Sequence, residues 1–266
     1  MTRAEIENFY KDQLKNWKLA RENCTALKNV EKKPMHAGGL EGFIQFNPAR
    51  AVSTLAKVDE NSIQTRKCFL CETNRPKEQR VIEILPGWEL LVNPYPILPL
   101  HFTIASLEHI PQKLSVETGF KLAKLLKGMV VFYNDEGAGA SAPDHSHFQA
   151  VPQEELPLIK YLKNNAIETL PFQVIRDVQE LITLQARVNA YFWEEADTIR
   201  FAAIPRKAHR PSEYYKTGSE RRAVSPGAID MAGIIVTPVR EDFNALTNQD
   251  IESIYRQVAF NNGNDR

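Results

Sequence analysis

The sequence is poor in cysteine and carries no net charge. Only three of its 266 residues are cysteines, too few for a disulfide framework. The 33 basic and 33 acidic residues cancel, so no field of the whole protein favours nucleic acid or a membrane surface. We therefore expect neither nucleic acid nor membrane as a partner.

Long apolar runs are absent as well. No run approaches the roughly 18 to 20 residues that a helix needs to span a bilayer. The stretch Met1–Glu7 lacks the apolar core of a signal peptide, which predicts a cytoplasmic protein. With 43% hydrophobic residues, a chain of this length can bury a large core as one domain or as two packed halves.

The apolar patterns of the first half predict a helix, several strands and a second helix before a last strand. A helical pattern covers residues 2–30, and a turn-rich join follows at 32–39. An amphipathic helix is predicted over residues 116–133. Strands are predicted at 43–46, 81–85, 88–93, 102–106 and 148–152. This order is typical of an α+β fold with a mostly antiparallel sheet.

A second run of strand patterns begins near residue 170 and repeats the texture of the first. Its predicted strands are 181–184, 188–193, 199–204 and 231–236, and its closing helix is 251–260. We interpret the repetition as two degenerate halves in one chain. The predicted division is an N-terminal helical segment at 1–40, one half at 41–165 and a second half with basic loops at 166–266.

The stretch over residues 137–149 carries the strongest chemical signal. His145, His147 and Gln149 alternate along it, and alternate residues of an extended segment face the same side, so we expect the three side chains to converge. Asn134 and the glycines that follow it indicate a turn that brings backbone N–H groups close to a ligand. A phosphate would use all these parts. The histidine pair alone would also fit half of a metal site, a catalytic pair or an ordinary polar strand.

A second signal is the pair Cys68 and Cys71. A C-x-x-C turn can present two thiolates to one zinc ion, whose tetrahedral site needs two more ligands. Two partly buried thiols without a metal are the alternative. Redox use of the thioredoxin kind is disfavoured, because no βαβ pattern surrounds the pair.

A third signal is a basic group in loops that contain proline and glycine. Most basic runs are solvated surface, but loops of this composition can also clamp a phosphate. The group consists of Arg206, Lys207, Arg210, Arg221 and Arg222. We single out Arg206 and Lys207 as substrate-binding candidates.

Taken together, these residues resemble the histidine-triad superfamily, in its nucleotidyltransferase and phosphorylase branch. That branch includes galactose-1-phosphate uridylyltransferase, diadenosine tetraphosphate phosphorylase and GDP-galactose phosphorylase. The resemblance covers roughly residues 45–260 and is strongest at 93–152. The form Asp144-His-x-His-Phe-Gln is most similar to the GDP-galactose phosphorylase type. The matching pieces are Asn134, Gly139-Ala-Ser141, His145-Ser-His147-Phe-Gln149, and Asn93-Pro-Tyr-Pro followed by His101-Phe-Thr-Ile.

The resemblance implies a nucleotidyltransferase or phosphorylase that cleaves a nucleoside polyphosphate or a nucleotide sugar. His147 would be the nucleophile and carry the nucleotidyl group, and Gln149 would hold the transferred phosphoryl group. Phosphate contacts would come from Asn134, Gly139, Ala140 and Ser141. The acceptor would be phosphate or a sugar phosphate, and a homodimer is left open.

The resemblance also implies a structural zinc ion. The ligands would be Cys68, Cys71, His109 and His145, which occur in the order seen in uridylyltransferases that keep zinc. Two other functions stay open at this point. A zinc-stabilised nucleotide-binding module would bind without turnover, and a phosphohydrolase of the same fold would release free nucleotide without an acceptor.

Overall fold

The computed structural model describes residues 1–164 and 167–261, which form two sheets and their packed helices. The helices are α1 Arg3–Asn16, α2 Lys18–Leu27, α3 Ala51–Thr54, α4 Glu60–Thr65, α5 Val116–Leu125, α6 Pro157–Lys163, α7 Val178–Leu184, α8 Ala228–Met231, α9 Arg240–Ala245 and α10 Asn248–Val258. The strands are β1 Glu31–Ala37, β2 Leu40–Phe46, β3 Val81–Leu85, β4 Trp88–Val92, β5 Phe102–Ser106, β6 Met129–Asn134, β7 His147–Pro152, β8 Arg187–Glu195, β9 Thr198–Arg206 and β10 Ile234–Thr237.

Seven strands form the central sheet, in the order β3-β4-β5-β7-β6-β8-β9, and all neighbours are antiparallel. Both faces of this sheet are covered. On β6, Val130 and Phe132 pack into one apolar cluster, while Val131 and Tyr133 pack into the cluster on the opposite face. Successive residues of a strand point to opposite faces, so a strand buried on both sides needs a continuous apolar run. The predicted α+β class with a mostly antiparallel sheet is confirmed.

A smaller sheet of three strands has the order β1-β2-β10, with β10 parallel to β2. The prediction of a turn-rich join at 32–39 is wrong, because β1 occupies most of it. Pro34 lies within β1, opposite Phe43 of β2. It is tolerated in β1 because that strand lies at the edge of the sheet, where the proline interrupts no central ladder.

The predicted helix at 2–30 is two helices. Thr2 caps α1 through a capping box with Glu5, and Ile6 and Tyr10 form part of the buried stripe. At Trp17 the backbone is extended, with φ −123° and ψ 100°, and α2 starts afresh. The helical pattern at 2–30 gave no sign of this break.

Three further predicted elements need a correction of extent or type. The helix predicted over 116–133 ends at Leu125, because Gly128 with φ +76° turns the chain into β6. The strand predicted at 181–184 lies in α7, which starts where Asp177 accepts hydrogen bonds from two backbone N–H groups. The strand predicted at 231–236 begins at Ile234, after α8 and a turn at Gly233.

The boundary predicted between residues 165 and 166 lies outside the described residues. The division into two halves therefore stays a prediction. Strands from either side of it share the central sheet, since β8 pairs with β6. Among residues 1–164 and 167–261, no helix has the length and apolar character required for a membrane crossing.

Candidate functional site

Strand β7 places His147 and Gln149 on the wall of a cavity of about 810 Å³. Phe148 and Ala150, between and after them, point to the opposite face and pack into its apolar cluster. The two-residue period of a strand therefore sorts the polar residues into the cavity and the apolar ones into the core. A volume of this size suits a drug-sized or nucleotide-sized ligand.

The hydrogen bonds around His147 fix which ring nitrogen carries the proton. Its Nδ1 lies 2.8 Å from the carbonyl oxygen of His145. A carbonyl can only accept, so Nδ1 carries the hydrogen and Nε2 keeps its lone pair. Burial lowers the pKa of His147 to about 4, so the ring is neutral near pH 7. A neutral imidazole with a free Nε2 beside a cavity is a potential nucleophile.

His101 fixes the orientation of Gln149. The backbone N–H of Ile97 donates to His101 Nδ1 over 3.2 Å, so the ring proton is on Nε2. That Nε2 lies 2.8 Å from Gln149 Oε1. With its oxygen thus occupied, the Gln149 side chain keeps its NH₂ group for a ligand in the cavity. Burial and the nearby Arg50 charge lower the pKa of His101 to about 3, which keeps this ring neutral as well.

Asn134 and the loop after it also line the cavity. Asn134 Oδ1 accepts from the N–H of Ala228 over 2.6 Å and from Asn189 Nδ2 over 3.0 Å. Its own NH₂ group is the part left for a ligand. Gly139 has φ +99°, and a Cβ there would stand 2.5 Å from the Cα of Gly227. The loop therefore needs glycine both for its conformation and for this close backbone contact.

Gln112 is a buried residue of the site that the sequence did not reveal. Its Nε2 donates to the carbonyl of Asn134 over 2.8 Å and to the carbonyl of His147 over 2.9 Å. Its Oε1 accepts from the N–H of His147 over 2.8 Å. The Gln112 side chain thus holds the backbone of Asn134, at the end of β6, next to the backbone of His147, at the start of β7. A lone glutamine in a loop carries no sequence signal for such a role.

Of the predicted basic group, Arg210 lines the cavity, but the two residues singled out as substrate-binding candidates do not. Arg206 and Lys207 are not among the lining residues. Arg206 is 3% exposed and donates to carbonyl groups of three loops, to the last carbonyl of α10 and to Asn189, so it supports the loops from behind. Among residues 1–164 and 167–261, four cations line the cavity, Arg50, Lys57, Arg66 and Arg210, and one carboxyl group does, that of Asp230.

A second group of side chains lies beside the cavity wall and consists of Cys68, Cys71, His109 and His145. Their ligand atoms all lie within 4.8 Å of one another. Cys68 Sγ is 3.4 Å from His145 Nδ1, and Cys71 Sγ is 3.1 Å from His109 Nδ1. Two thiolates and two imidazoles form a donor set that suits a tetrahedral metal ion, so this cluster could hold one.

The groups around the cluster favour His145 and Cys68 as metal ligands. His145 Nε2 lies 2.8 Å from the carbonyl of Ser106, which must accept, so Nδ1 is free to face the cysteines. Burial alone would raise the pKa of the Cys68 thiol, but its contact with His145 and hydrogen bonds from backbone N–H groups outweigh burial and lower that pKa. A thiol that ionises readily is a better metal ligand.

The expected convergence of His145, His147 and Gln149 holds for two of the three. His147 and Gln149 line the cavity, and His145 lies in the cysteine cluster instead. The reason is that β7 begins at His147. The alternation of an extended segment therefore does not reach back to His145, whose ring turns towards Cys68.

The first part of the chain, including the site, matches a known protein family. The family described as a domain of unknown function, DUF4922, matches residues 9–152, which is more than half of the 266 residues. The chain belongs to this family. The matched part contains the cysteine cluster, His147 and Gln149. Among curated proteins, none matches the chain.

Solved structures of a yeast enzyme share the fold of this DUF4922 protein. Yeast Ap4A phosphorylase Apa2 in complex with AMP has a TM-score of 0.58 at 17% identity, over 95% of this chain and 99% of that one. Apa2 in complex with Ap4A has a TM-score of 0.56 at 15% identity, over 92% and 97%. At such identities the likeness shows the fold alone. It confirms the predicted resemblance to an Ap4A phosphorylase at the level of the fold.

Proposed function

We propose that this protein is a nucleotidyltransferase or phosphorylase that acts on a nucleoside polyphosphate or a nucleotide sugar. The observation that carries the proposal is the state of His147, whose ring is neutral, proton-bearing on Nδ1 and unprotonated on Nε2 at the cavity wall. These lining cations favour an anionic ligand, in a chain whose net charge is zero. The Apa2 structures were solved with AMP and with Ap4A, which favours the polyphosphate over the nucleotide sugar.

In the first step, the lone pair of His147 Nε2 forms a bond to the phosphorus of the substrate. The bond from that phosphorus to its leaving oxygen breaks, and the leaving group departs with the electron pair. The ring keeps its hydrogen on Nδ1 and gains positive character. The carbonyl of His145, 2.8 Å from Nδ1, stabilises that charge.

In the second step, an oxygen of phosphate or of a sugar phosphate attacks the same phosphorus. The phosphorus–nitrogen bond breaks, and its electron pair returns to Nε2, which restores the neutral ring. Throughout both steps Gln149 can donate its NH₂ group to a non-bridging oxygen, because His101 occupies its Oε1. Asn134 and the backbone of Gly139, Ala140 and Ser141 are further candidates for phosphate contacts.

We propose zinc as the ion that Cys68, Cys71, His109 and His145 would hold. When bound, it would join the C-x-x-C turn to the residue that starts the His147 segment, and it would act structurally. His145 supplies both the carbonyl that orients His147 and a ring nitrogen of the cluster. A metal ion held by the cluster would therefore help to fix the position of the nucleophile. We further propose that the chain comprises the two degenerate halves predicted from its sequence.

The test is the intact mass of the protein after brief incubation with dinucleoside polyphosphates and nucleotide sugars. The quench must be neutral to alkaline, because phosphoramidates are labile in acid. We expect a nucleotidyl increment in the wild type and in the control His36→Ala, and none in His147→Ala. An increment that persists in His147→Ala would exclude His147 as the nucleophile. Binding without any increment would favour the non-catalytic module, and rapid release of nucleotide without acceptor would favour the phosphohydrolase.

A further inference from the structure

We propose that Arg66 binds the phosphate chain of the substrate and that Asp144 positions it for this task. The inference deepens the proposed function and rests on it for the identity of the ligand. Asp144 precedes the His-x-His pair but is neither a proposed metal ligand nor the proposed nucleophile.

The guanidinium of Arg66 has one side paired and one side unpaired. Its Nη2 donates to Asp144 Oδ1. Its Nη1 is buried and has no hydrogen-bond partner among the residues that the structure describes. Buried donors are nearly always satisfied, since an unpaired one costs free energy. Arg66 lines the same cavity as His147 and Gln149, so a ligand there would supply the missing acceptor.

Two contacts hold the side chain in place. Asp144 lies on one side, and the ring of Phe69 lies on another, with its centroid 5.3 Å from Arg66 Cζ. Both Arg66 and Asp144 are largely buried, with 23% and 15% of their side chains exposed. A guanidinium restrained in this way is preorganised, so little rotamer entropy is lost when it binds an anion.

Asp144 also connects Arg66 to the cysteine cluster. Its second oxygen, Oδ2, lies 3.7 Å from Nε2 of His109, whose Nδ1 faces Cys71. One carboxylate therefore touches both a candidate metal ligand and a candidate phosphate ligand. Through this contact the cluster can influence substrate binding as well as the position of His147.

The chemistry of the ligand follows from the donor. A guanidinium matches the oxygens of phosphate in charge and in shape, and phosphate contacts of this kind are often bidentate. Arg50, Lys57 and Arg210 line the same cavity, so several phosphates in a row would find cations around them. A polyphosphate chain fits this set better than one isolated phosphate.

The first experiment measures binding of inorganic tripolyphosphate by calorimetry at fixed ionic strength. We expect Arg66→Gln to weaken binding by about tenfold or more, as for the loss of a charge-assisted hydrogen bond. Arg66→Lys should restore part of the loss. The control Arg256→Gln removes one exposed positive charge that lies outside the cavity, and it should leave the affinity unchanged. Equal affinity of Arg66→Gln and the wild type, or no binding of tripolyphosphate by the wild type, would overturn the assignment.

The role of Asp144 is tested by a double-mutant cycle with zinc content measured in every protein. If Asp144 acts through Arg66, Asp144→Asn weakens tripolyphosphate binding in the wild type and has no further effect in Arg66→Gln. Equal losses in both backgrounds would refute the positioning role.

The proposed function is judged separately by the nucleotidyl increment on His147. Arg66-dependent tripolyphosphate binding without any increment would reject the transferase and retain the polyphosphate site. A nucleotidyl increment in a protein whose tripolyphosphate affinity does not depend on Arg66 would reject the polyphosphate site and retain the transferase.

Discussion

The buried neutral state of His101 makes a quantitative prediction for the acid stability of the protein. His101 is 0% exposed, and burial and the Arg50 charge lower its pKa to about 3, whereas an unfolded histidine has a pKa of about 6.5. Above pH 6.5 the ring is neutral in both states and contributes no pH dependence. Below pH 6.5 the ring binds a proton in the unfolded chain but not in the folded protein, so the free energy of unfolding falls until the pH reaches about 3.

The size of the effect follows from the interval. Each pH unit between the two pKa values costs about 1.4 kcal/mol, so lowering the pH to about 5 costs about 2 kcal/mol through His101 alone. Glutamine cannot titrate in this range. We therefore expect His101→Gln to be less stable than the wild type at pH 7.5, yet to lose about 2 kcal/mol less between pH 7.5 and pH 5.

The assay is urea denaturation at a series of pH values. His36→Gln, which removes an exposed histidine, should keep the wild-type decline. Both variants retain the cysteine cluster, so its own sensitivity to acid cancels in the comparison. An identical decline in His101→Gln and the wild type would show that His101 does not titrate as a buried neutral ring.

Two further predictions concern the cluster and the buried amide. Cys68→Ser should lower both the zinc content, by elemental analysis, and the melting temperature, because it removes one of four converging ligands; Cys24→Ser, a half-buried thiol elsewhere, should change neither metal content nor the cluster. Unchanged metal content in Cys68→Ser would contradict the zinc assignment. Gln112→Met should lower the free energy of unfolding by about 3 kcal/mol, since it removes three buried hydrogen bonds worth about 1 kcal/mol each. Gln79→Met removes a single hydrogen bond and should cost about a third as much. Equal losses in the two variants would show that the three hydrogen bonds of Gln112 do not stabilise the fold.

Much of the fold was readable from local pattern. Runs of strand-forming residues identified β4, β5, β8 and β9, and the helical pattern at 2–30 covered α1 and α2. The errors occurred where a single residue overrode the pattern. Examples are the turn at Gly128, the helix cap at Asp177 and the edge position that tolerates Pro34.

The sequence by itself determined the chemistry of one strand. The spacing of His147 and Gln149 puts both on one face of any extended segment, and the C-x-x-C turn brings Cys68 and Cys71 together wherever it lies. Such relations are properties of the backbone over a few residues. They need no knowledge of the rest of the chain.

Only the tertiary structure decided which distant groups meet. Cys68 and His145 are 77 positions apart, and Arg66 and Asp144 are 78 apart, yet each pair is in contact. The same packing buries Arg206, a predicted substrate-binding residue, where it donates hydrogen bonds to loop carbonyls. Long-range contacts depend on how strands pair and which faces are buried, and no short stretch of sequence encodes that.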